Sequence, residues 1–212
     1  MSNIYFLFQT HVVSLYHNNK KMELFIESLG NFNVESNNMW ENSPFKKLIS
    51  MTPDARGSWG EECIFKLLVS YFSDKTIKWD SNTNTNHPDG SIYDILYGTK
   101  RIEVKTALMG KNFSWQHENI YEDKLWDILI FFDICPTGSY LTIIHHHEMP
   151  FNNDKHIILN KKSTKHLSAW KFDMSQASMK KGMDGGITFF IDSKTQNSTE
   201  LKNFLINHLN VN

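Results

Sequence analysis

The stretch that most constrains the fold runs from Ser91 to Ala107 and reads SIYDILYGTKRIEVKTA. Two runs rich in β-branched and aromatic residues, 92–97 and 101–106, flank Gly98-Thr99. Glycine in the first position of a two-residue loop suits a type II′ turn, whose twist matches that of the flanking strands. The expected hairpin pairs Tyr97 with Lys100, Leu96 with Arg101, Ile95 with Ile102 and Asp94 with Glu103. Side chains alternate between the faces of a strand. Tyr93, Ile95, Ile102 and Val104 therefore share a core face, and Asp94, Glu103 and Lys105 share the other. Directly opposed residues have Cβ atoms about 4.5–5.5 Å apart, and like charges there are destabilising. A divalent cation between the two carboxylates removes the penalty, and Mg²⁺ suits a site of one or two carboxylates and several retained waters. The pairing depends on the turn, because a slip of one residue would undo it.

The other informative stretch is GSWGEECIFKLLVSYFS, residues 57–73. It predicts a helix with Ser58 as cap and Glu61 closing a capping box. Ile64, Leu67, Leu68 and Tyr71 form its apolar stripe. Glu61 lies on the edge of that stripe, where it can reach a site beside a sheet, and Glu62 points away from it. Capping and helix-dipole complementation are the alternative role for Glu61.

Around these stretches, helices are expected at 4–16 and 20–29, a polar loop at 30–44, and a short helical piece at 45–51 between Pro44 and Pro53. A strand at 76–80 precedes the turn-rich run SNTNTNHPDG. After the hairpin, 108–112 loops out, and 113–121 reads as a strand end running into a short helix. Asp127 to Ile134 is nearly all apolar and reads as a buried strand. The turn Cys135-Pro136-Thr137-Gly138 joins it to an antiparallel neighbour at 140–146. The pattern loosens over 150–186, with a turn at Gly182–Gly186. A last strand follows at 187–191, then a helix at 199–209 with Leu201, Phe204, Leu205 and Leu209 inward.

The chain has 212 residues, enough for one domain with a substantial core. A formal net charge of −1 argues against an indiscriminate, strongly basic nucleic-acid binder. Its two cysteines, Cys63 and Cys135, are far apart and lack partners at metal-site spacing, which points to a reducing, cytoplasmic setting. The apolar start, IYFLFQTHVVSLYH, is broken by polar residues. Neither a signal peptide nor a bilayer-spanning segment is expected.

A helix carrying Glu61, then a strand, then a hairpin carrying Asp94 and Glu103-Val104-Lys105, then further strands: this order resembles the PD-(D/E)XK nuclease superfamily, which includes many type II restriction endonucleases. The matching residues are GSWGEE at 57–62, Asp94 and Glu103-Val104-Lys105, within roughly 57–147. The tripeptide alone is common. It gains weight from its place on a strand, from the nine-residue offset to Asp94 and from the upstream Glu61. Pro88-Asp89 spells the family's PD 14 residues before Glu103 but falls in the turn-rich run, so Asp94 is taken as the ligand and Asp89 as the reserve candidate. The resemblance implies an α/β fold with a mixed central sheet of about five strands flanked by helices. The chain would form a single nuclease-like domain with its core at about 57–147, an N-terminal helical part at 1–52 and a basic, DNA-contacting part at 150–212.

The resemblance also implies residue roles. Asp94, Glu103 and the Val104 carbonyl would bind Mg²⁺, which would polarise the scissile phosphate and acidify a water. Lys105 would orient that water and stabilise transition-state charge. Glu61 would hold a water or a second ion. Gln116, on the strand after the tripeptide, would line the site. The implied function is Mg²⁺-dependent hydrolysis of DNA phosphodiester bonds, leaving 5′-phosphate and 3′-hydroxyl ends. The near-neutral charge favours a sequence-specific, restriction-type enzyme acting on duplex DNA over an indiscriminate one, and such enzymes often act as homodimers. A junction-resolvase-like or repair nuclease, or an inactive binding module of the same fold, are the alternatives.

Four further features carry less. His145-His146-His147-Glu148 lacks convergent partners for zinc. Lys155, Lys161, Lys162, Lys165, Lys171, Lys180 and Lys181, with His156, His166 and Trp170 among them, form a candidate phosphate-contacting region, whose contacts supply affinity without sequence information. Arg56 and Arg101 are the chain's only arginines, so bidentate guanine reading is scarce. Trp59, Trp115 and Trp170 read as packing residues rather than stacking platforms.

Overall fold

The structure is a computed structural model and describes residues 38–73, 75–80, 92–149, 151, 160–163 and 169–209. The helices expected at 4–16 and 20–29, the Pro88-Asp89 pair, and Lys155, His156, Lys165 and His166 lie outside the described residues.

The centre of the fold is strand β5, Ile128–Cys135, ILIFFDIC, in which every residue is buried. A strand that is apolar on both faces must be covered on both. Each of its Ile and Phe side chains contributes about 1.5–3 kcal/mol by leaving water. β5 pairs in parallel with β3, Lys100–Leu108, from Ile102↔Ile128 to Leu108↔Ile134. On its other side it pairs antiparallel with β6, Gly138–His145, through the expected tight turn. β1, Ile77–Trp79, and β2, Ile95–Tyr97, extend the sheet on the β3 side, and β9, Thr188–Ile191, extends it beyond β6. The result is a six-stranded mixed sheet of order β1-β2-β3-β5-β6-β9. Its last strand lies well outside 57–147.

Parallel strands need a crossover connection. Here it is made by β4, Ser114–Tyr121, which leaves the main sheet and joins β8, Ala169–Ser175, and β7, Asn160–Ser163, in a second, three-stranded antiparallel sheet. This sheet was not expected. Residues 113–121 are strand along almost their whole length rather than strand turning into helix. Trp115 and His117 alternate inward, and then an irregularity with Asn119 at φ 57° restores the inward position to Ile120. That break in the period of two makes the segment look helical from sequence.

The two faces of β5 have different partners because its side chains alternate. Phe132 stacks on Trp59 of helix α1, Pro53–Tyr71, with ring centroids 6.0 Å apart. Phe131 faces the second sheet, with Phe172 at 6.4 Å and the His117 ring at 4.4 Å. Trp115 donates its indole N–H to the Ile134 carbonyl at 2.9 Å, tying the sheets together. His117 and Asp133 add a buried pair at 2.8 Å. Trp59 and Trp115 are thus packing residues, as expected.

Helix α1 begins earlier than the sequence suggests. Thr52 is its cap, accepting from the Ala55 N–H at 3.2 Å, and Pro53 occupies the first turn. Proline is well suited there because its missing N–H would be unsatisfied anyway. Ser58 is therefore interior to the helix, and the Ser58–Glu61 capping box does not form. Residues Lys46–Ser50 form a 3-10 turn at the expected place. The loosely patterned region 150–186 holds β7, β8 and helix α2, Gln176–Asp184, capped by Ser175. The glycine turn is confined to the end of α2, where Gly186 takes φ 78°. Helix α3, Thr199–Leu209, buries Leu201, Phe204, Leu205 and Leu209 as its spacing predicts. Among the described residues no helix is long and apolar enough to cross a membrane.

Candidate active site

The hairpin forms in the expected register: Ile95↔Ile102, Leu96↔Arg101, Tyr97↔Lys100. Gly98 has φ 61°, and Thr99 is not in the left-handed region, as a type II′ turn requires. Asp94 lies just beyond β2, and there the simple pairing with Glu103 gives way. The Asp94 N–H donates to the Ile102 carbonyl at 2.9 Å, and the Asp94 carbonyl accepts from the Asp80 N–H at 2.8 Å. Its carboxylate turns along β3, and Oδ2 accepts from the Val104 N–H at 2.7 Å. β2 pairs only as far as Ile102, so from Glu103 onward one edge of β3 is open. The N–H and C=O of one strand residue point to the same side. The Val104 carbonyl therefore faces this open edge together with the Asp94 carboxylate.

Glu61 arrives from α1. Gly60 is pressed against Thr106 of β3 so closely that a Cβ at Gly60 would overlap the Thr106 hydroxyl. That approach brings the next residue over the open edge. Glu61 is buried, and its Oε2 has no hydrogen-bond partner. Its pKa is raised, first by burial and then by Glu103 and Asp80; Trp79 and Lys105 act against the rise. Glu62, by contrast, forms a surface ion pair with Lys66 one turn on, as the helical wheel predicts.

Lys105 Nζ lies 2.7 Å from Glu103 Oε1, with the lysine side chain 23 % and the glutamate 11 % exposed. Burial acts to lower the Lys105 pKa, but Glu103, Asp94 and Glu61 together outweigh it and raise the value. Asp94 is pushed well above the usual carboxylate range by burial, then by Glu103 and Glu61, against the Val104 N–H and Lys105. Three carboxylates thus share one ammonium. If all were ionised, the cluster would carry three negative charges against one positive, an excess of two.

That excess is the charge of a divalent cation, and the donor set suits Mg²⁺. Asp94, Glu103 and the Val104 carbonyl are the residues that could hold it. Among the described residues no three His, Cys, Asp or Glu side chains converge as a ready-made cage. Mg²⁺ is usually bound by one or two carboxylates with most of its waters kept.

Gln116 is exposed on β4, lining an open cleft of ≈ 390 Å³. The cleft floor is Thr106, Ala107 and Leu108, which continue β3 directly beyond Lys105; Arg56 of α1 and Lys111 contribute the cations. Sequence reasoning missed the cleft, including Lys111 and Thr106. The available signal was the helix start: with Pro53 in the first turn, Arg56 falls one turn before Gly60. Partial burial lowers the Arg56 pKa. The other arginine is occupied. Arg101 Nε and Nη2 each donate to Asp127 at 3.0 Å, and the Arg101 backbone N–H donates at 2.8 Å. Burial acts to raise the Asp127 pKa, but these bonds outweigh it and hold the value low. Arg101 ties β3 to the residue just before β5.

The histidine run lies at the end of β6. His145 and His147 stack at 5.7 Å, and His146 packs on Trp126 at 4.3 Å and approaches the Glu122 carbonyl at 3.1 Å. Trp170 is half-buried and donates to Glu122 Oε2 at 2.9 Å. The lysine-rich segment is built into structure: Lys161 and Lys162 lie on β7, Lys180 and Lys181 on α2, and Lys171 on β8 pairs with Glu118 at 2.7 Å.

Comparison with known protein families, with curated proteins and with solved structures finds no match for this chain.

Proposed function

We propose that this chain is a Mg²⁺-dependent DNA endonuclease of the PD-(D/E)XK kind, with a restriction-endonuclease-like fold. The observation that supports the reading is the electrostatic coupling of Asp94, Glu103, Lys105 and Glu61 near the open edge of β3, where the carboxylates resist ionising together, with a cleft carrying Arg56 and Lys111 farther along the strand. Stability alone does not favour burying like charges together.

Mg²⁺, when bound, would polarise the scissile phosphate and acidify a water. The chain's own groups divide the remaining work. Asp94 and Glu103, with the Val104 carbonyl, would hold the cation. Lys105, its pKa raised by three carboxylates, is a cation at neutral pH, so it donates to charge developing on the phosphate and does not act as a base. Glu61, buried and raised, with Oε2 unengaged, is the better proton acceptor for an attacking water. The water oxygen bonds to phosphorus as the P–O3′ bond breaks; its proton goes to Glu61 and a solvent proton goes to the departing 3′-oxygen, leaving 5′-phosphate and 3′-hydroxyl ends. Gln116 and the cleft cations seat the neighbouring backbone.

The near-neutral net charge favours a specific enzyme over an indiscriminate one. A homodimer, each subunit cutting one strand of a duplex, fits that reading. Cys63 and Cys135 are buried free thiols, in keeping with a reducing, cytoplasmic setting.

Purified protein with Mg²⁺ should cleave plasmid DNA. Asp94→Ala and Lys105→Ala should each lower the rate about 10²-fold or more without unfolding the chain. Failure to cut any DNA, linear or branched, would overturn the reading. Discrete fragments would mark sequence specificity, and cutting only at branches or distortions would mark a structure-selective enzyme.

A further inference from the structure

Among the described residues, the lining of the cleft floored by Thr106, Ala107 and Leu108 carries two cations, Arg56 of α1 and Lys111 of the loop after β3, and no carboxylate. The chain as a whole is balanced, with 22 basic and 23 acidic residues, so the cleft is a local departure. Lys66, Arg101, Lys105 and Lys171 each have a carboxylate partner. Among the described residues none pairs with Arg56 or Lys111. Arg56 is half-buried, and burial alone acts on its pKa, downward, with no acidic group to offset it. Drawing a guanidinium partly out of water without a counterion is costly, and an anion in the cleft offsets that cost.

The neutral groups suit the same ligand. Ser114 and Gln116 alternate with the buried Trp115 and His117 on β4, so they share its other face, and both line the cleft. They add a hydroxyl and an amide donor to a planar guanidinium, whose fork matches a pair of phosphate oxygens. At ≈ 390 Å³ the cleft is of small-ligand size, enough for a phosphate with its sugar. Its lining includes none of Glu61, Asp94, Glu103 or Lys105, so it is a separate site. Ala107, on its floor, is two residues past Lys105, roughly 7 Å along the strand.

We propose that the cleft is a metal-independent phosphate site, in which Arg56 and Lys111 hold a phosphate of the nucleic-acid strand other than the one at the carboxylates. The inference rests on the nuclease reading for the identity of the strand and deepens it: the substrate is gripped by its backbone without the cation. Such contacts supply affinity and register but read no sequence.

The test follows binding of the full chain to a fluorescein-labelled duplex in EDTA, by anisotropy over a range of salt concentrations. The wild type should bind. Lys111→Gln, in an exposed loop, and Arg56→Gln should each weaken binding about tenfold or more and reduce the slope of log affinity against log salt by about 1. Arg56→Lys should recover only part of the loss, since it keeps the charge and loses the fork. Lys180→Gln combined with Lys181→Gln on α2 should weaken binding less than either cleft variant. Asp94→Ala should bind no more weakly than the wild type. Unchanged affinity in both cleft variants, or an equal loss in the α2 double variant, would overturn the inference, and plasmid cleavage by the wild type would leave the nuclease reading standing. Binding that requires a divalent cation would also overturn it. So would AMP displacing the labelled duplex as well as unlabelled duplex does at equal phosphate concentration, because the ligand would then be a free nucleotide. Binding in EDTA that depends on Arg56 and Lys111, from a protein that cuts no DNA, would keep the site and sink the nuclease reading alone.

Discussion

Gly60 of α1 sits against Thr106 of β3 with no room for a single methyl group, and Thr106 Cβ would itself lie 2.8 Å from a Cβ placed at Gly60. This contact sets the distance between the helix that carries Glu61 and the strand that carries Glu103 and Lys105. The Thr106 hydroxyl is buried there without a hydrogen-bond partner, so packing rather than bonding holds the approach.

Gly60→Ala should therefore act on stability and activity together. Overpacking a tight contact costs typically about 1–3 kcal/mol. The helix must also retreat, and Glu61 goes with it. Urea unfolding should give a lower midpoint, and cleavage at saturating Mg²⁺ should fall about tenfold or more. Adding Thr106→Ala removes two of the three crowding atoms and should recover part of both losses. Full activity in Gly60→Ala would show that Glu61 needs no such placement.

Asp94 makes stability depend on pH and metal in a linked way. Its folded pKa is raised well above the unfolded value. The native state then holds the proton more tightly than the unfolded chain. Without metal, stability falls as pH rises from the unfolded aspartate pKa of about 3.9, and levels once the raised value is passed. A divalent cation binds the ionised form, so the Mg²⁺-induced gain in melting temperature should be near zero in acid and grow with pH. Asp94→Asn should raise metal-free stability at neutral pH and lose the Mg²⁺ response. An equal Mg²⁺ shift in wild type and Asp94→Asn would place the cation elsewhere.

His117 and Asp133 are both essentially inaccessible, 1 % and 0 % exposed, and Asp133 Oδ2 has no partner. They join the second sheet to the central strand of the first. Removing one member of a buried pair leaves the other uncompensated, at a cost of about 3–5 kcal/mol. His117→Ala should lower the unfolding free energy by that much, seen as a lower denaturant midpoint at unchanged slope. A loss below about 1 kcal/mol would mean that the second sheet is held by its apolar contacts alone.

The sequence determined a good deal because the information was local. Gly98-Thr99 set the hairpin register, the all-apolar run ILIFFDIC marked the central buried strand, and Leu201, Phe204, Leu205 and Leu209 marked one face of a helix. These are short-range consequences of turn chemistry and hydrophobic period. The second sheet was not legible. β4 hides its alternation behind the irregularity at Asn119, and β8 pairs with it across about fifty residues of chain. Tertiary structure alone decided the rest: that Asp94 turns its carboxylate to Val104 instead of lying squarely opposite Glu103, and that Gly60 on Thr106 brings Glu61 to the same edge. Each depends on where β2 stops and how closely α1 approaches, quantities set by packing between segments distant in the chain.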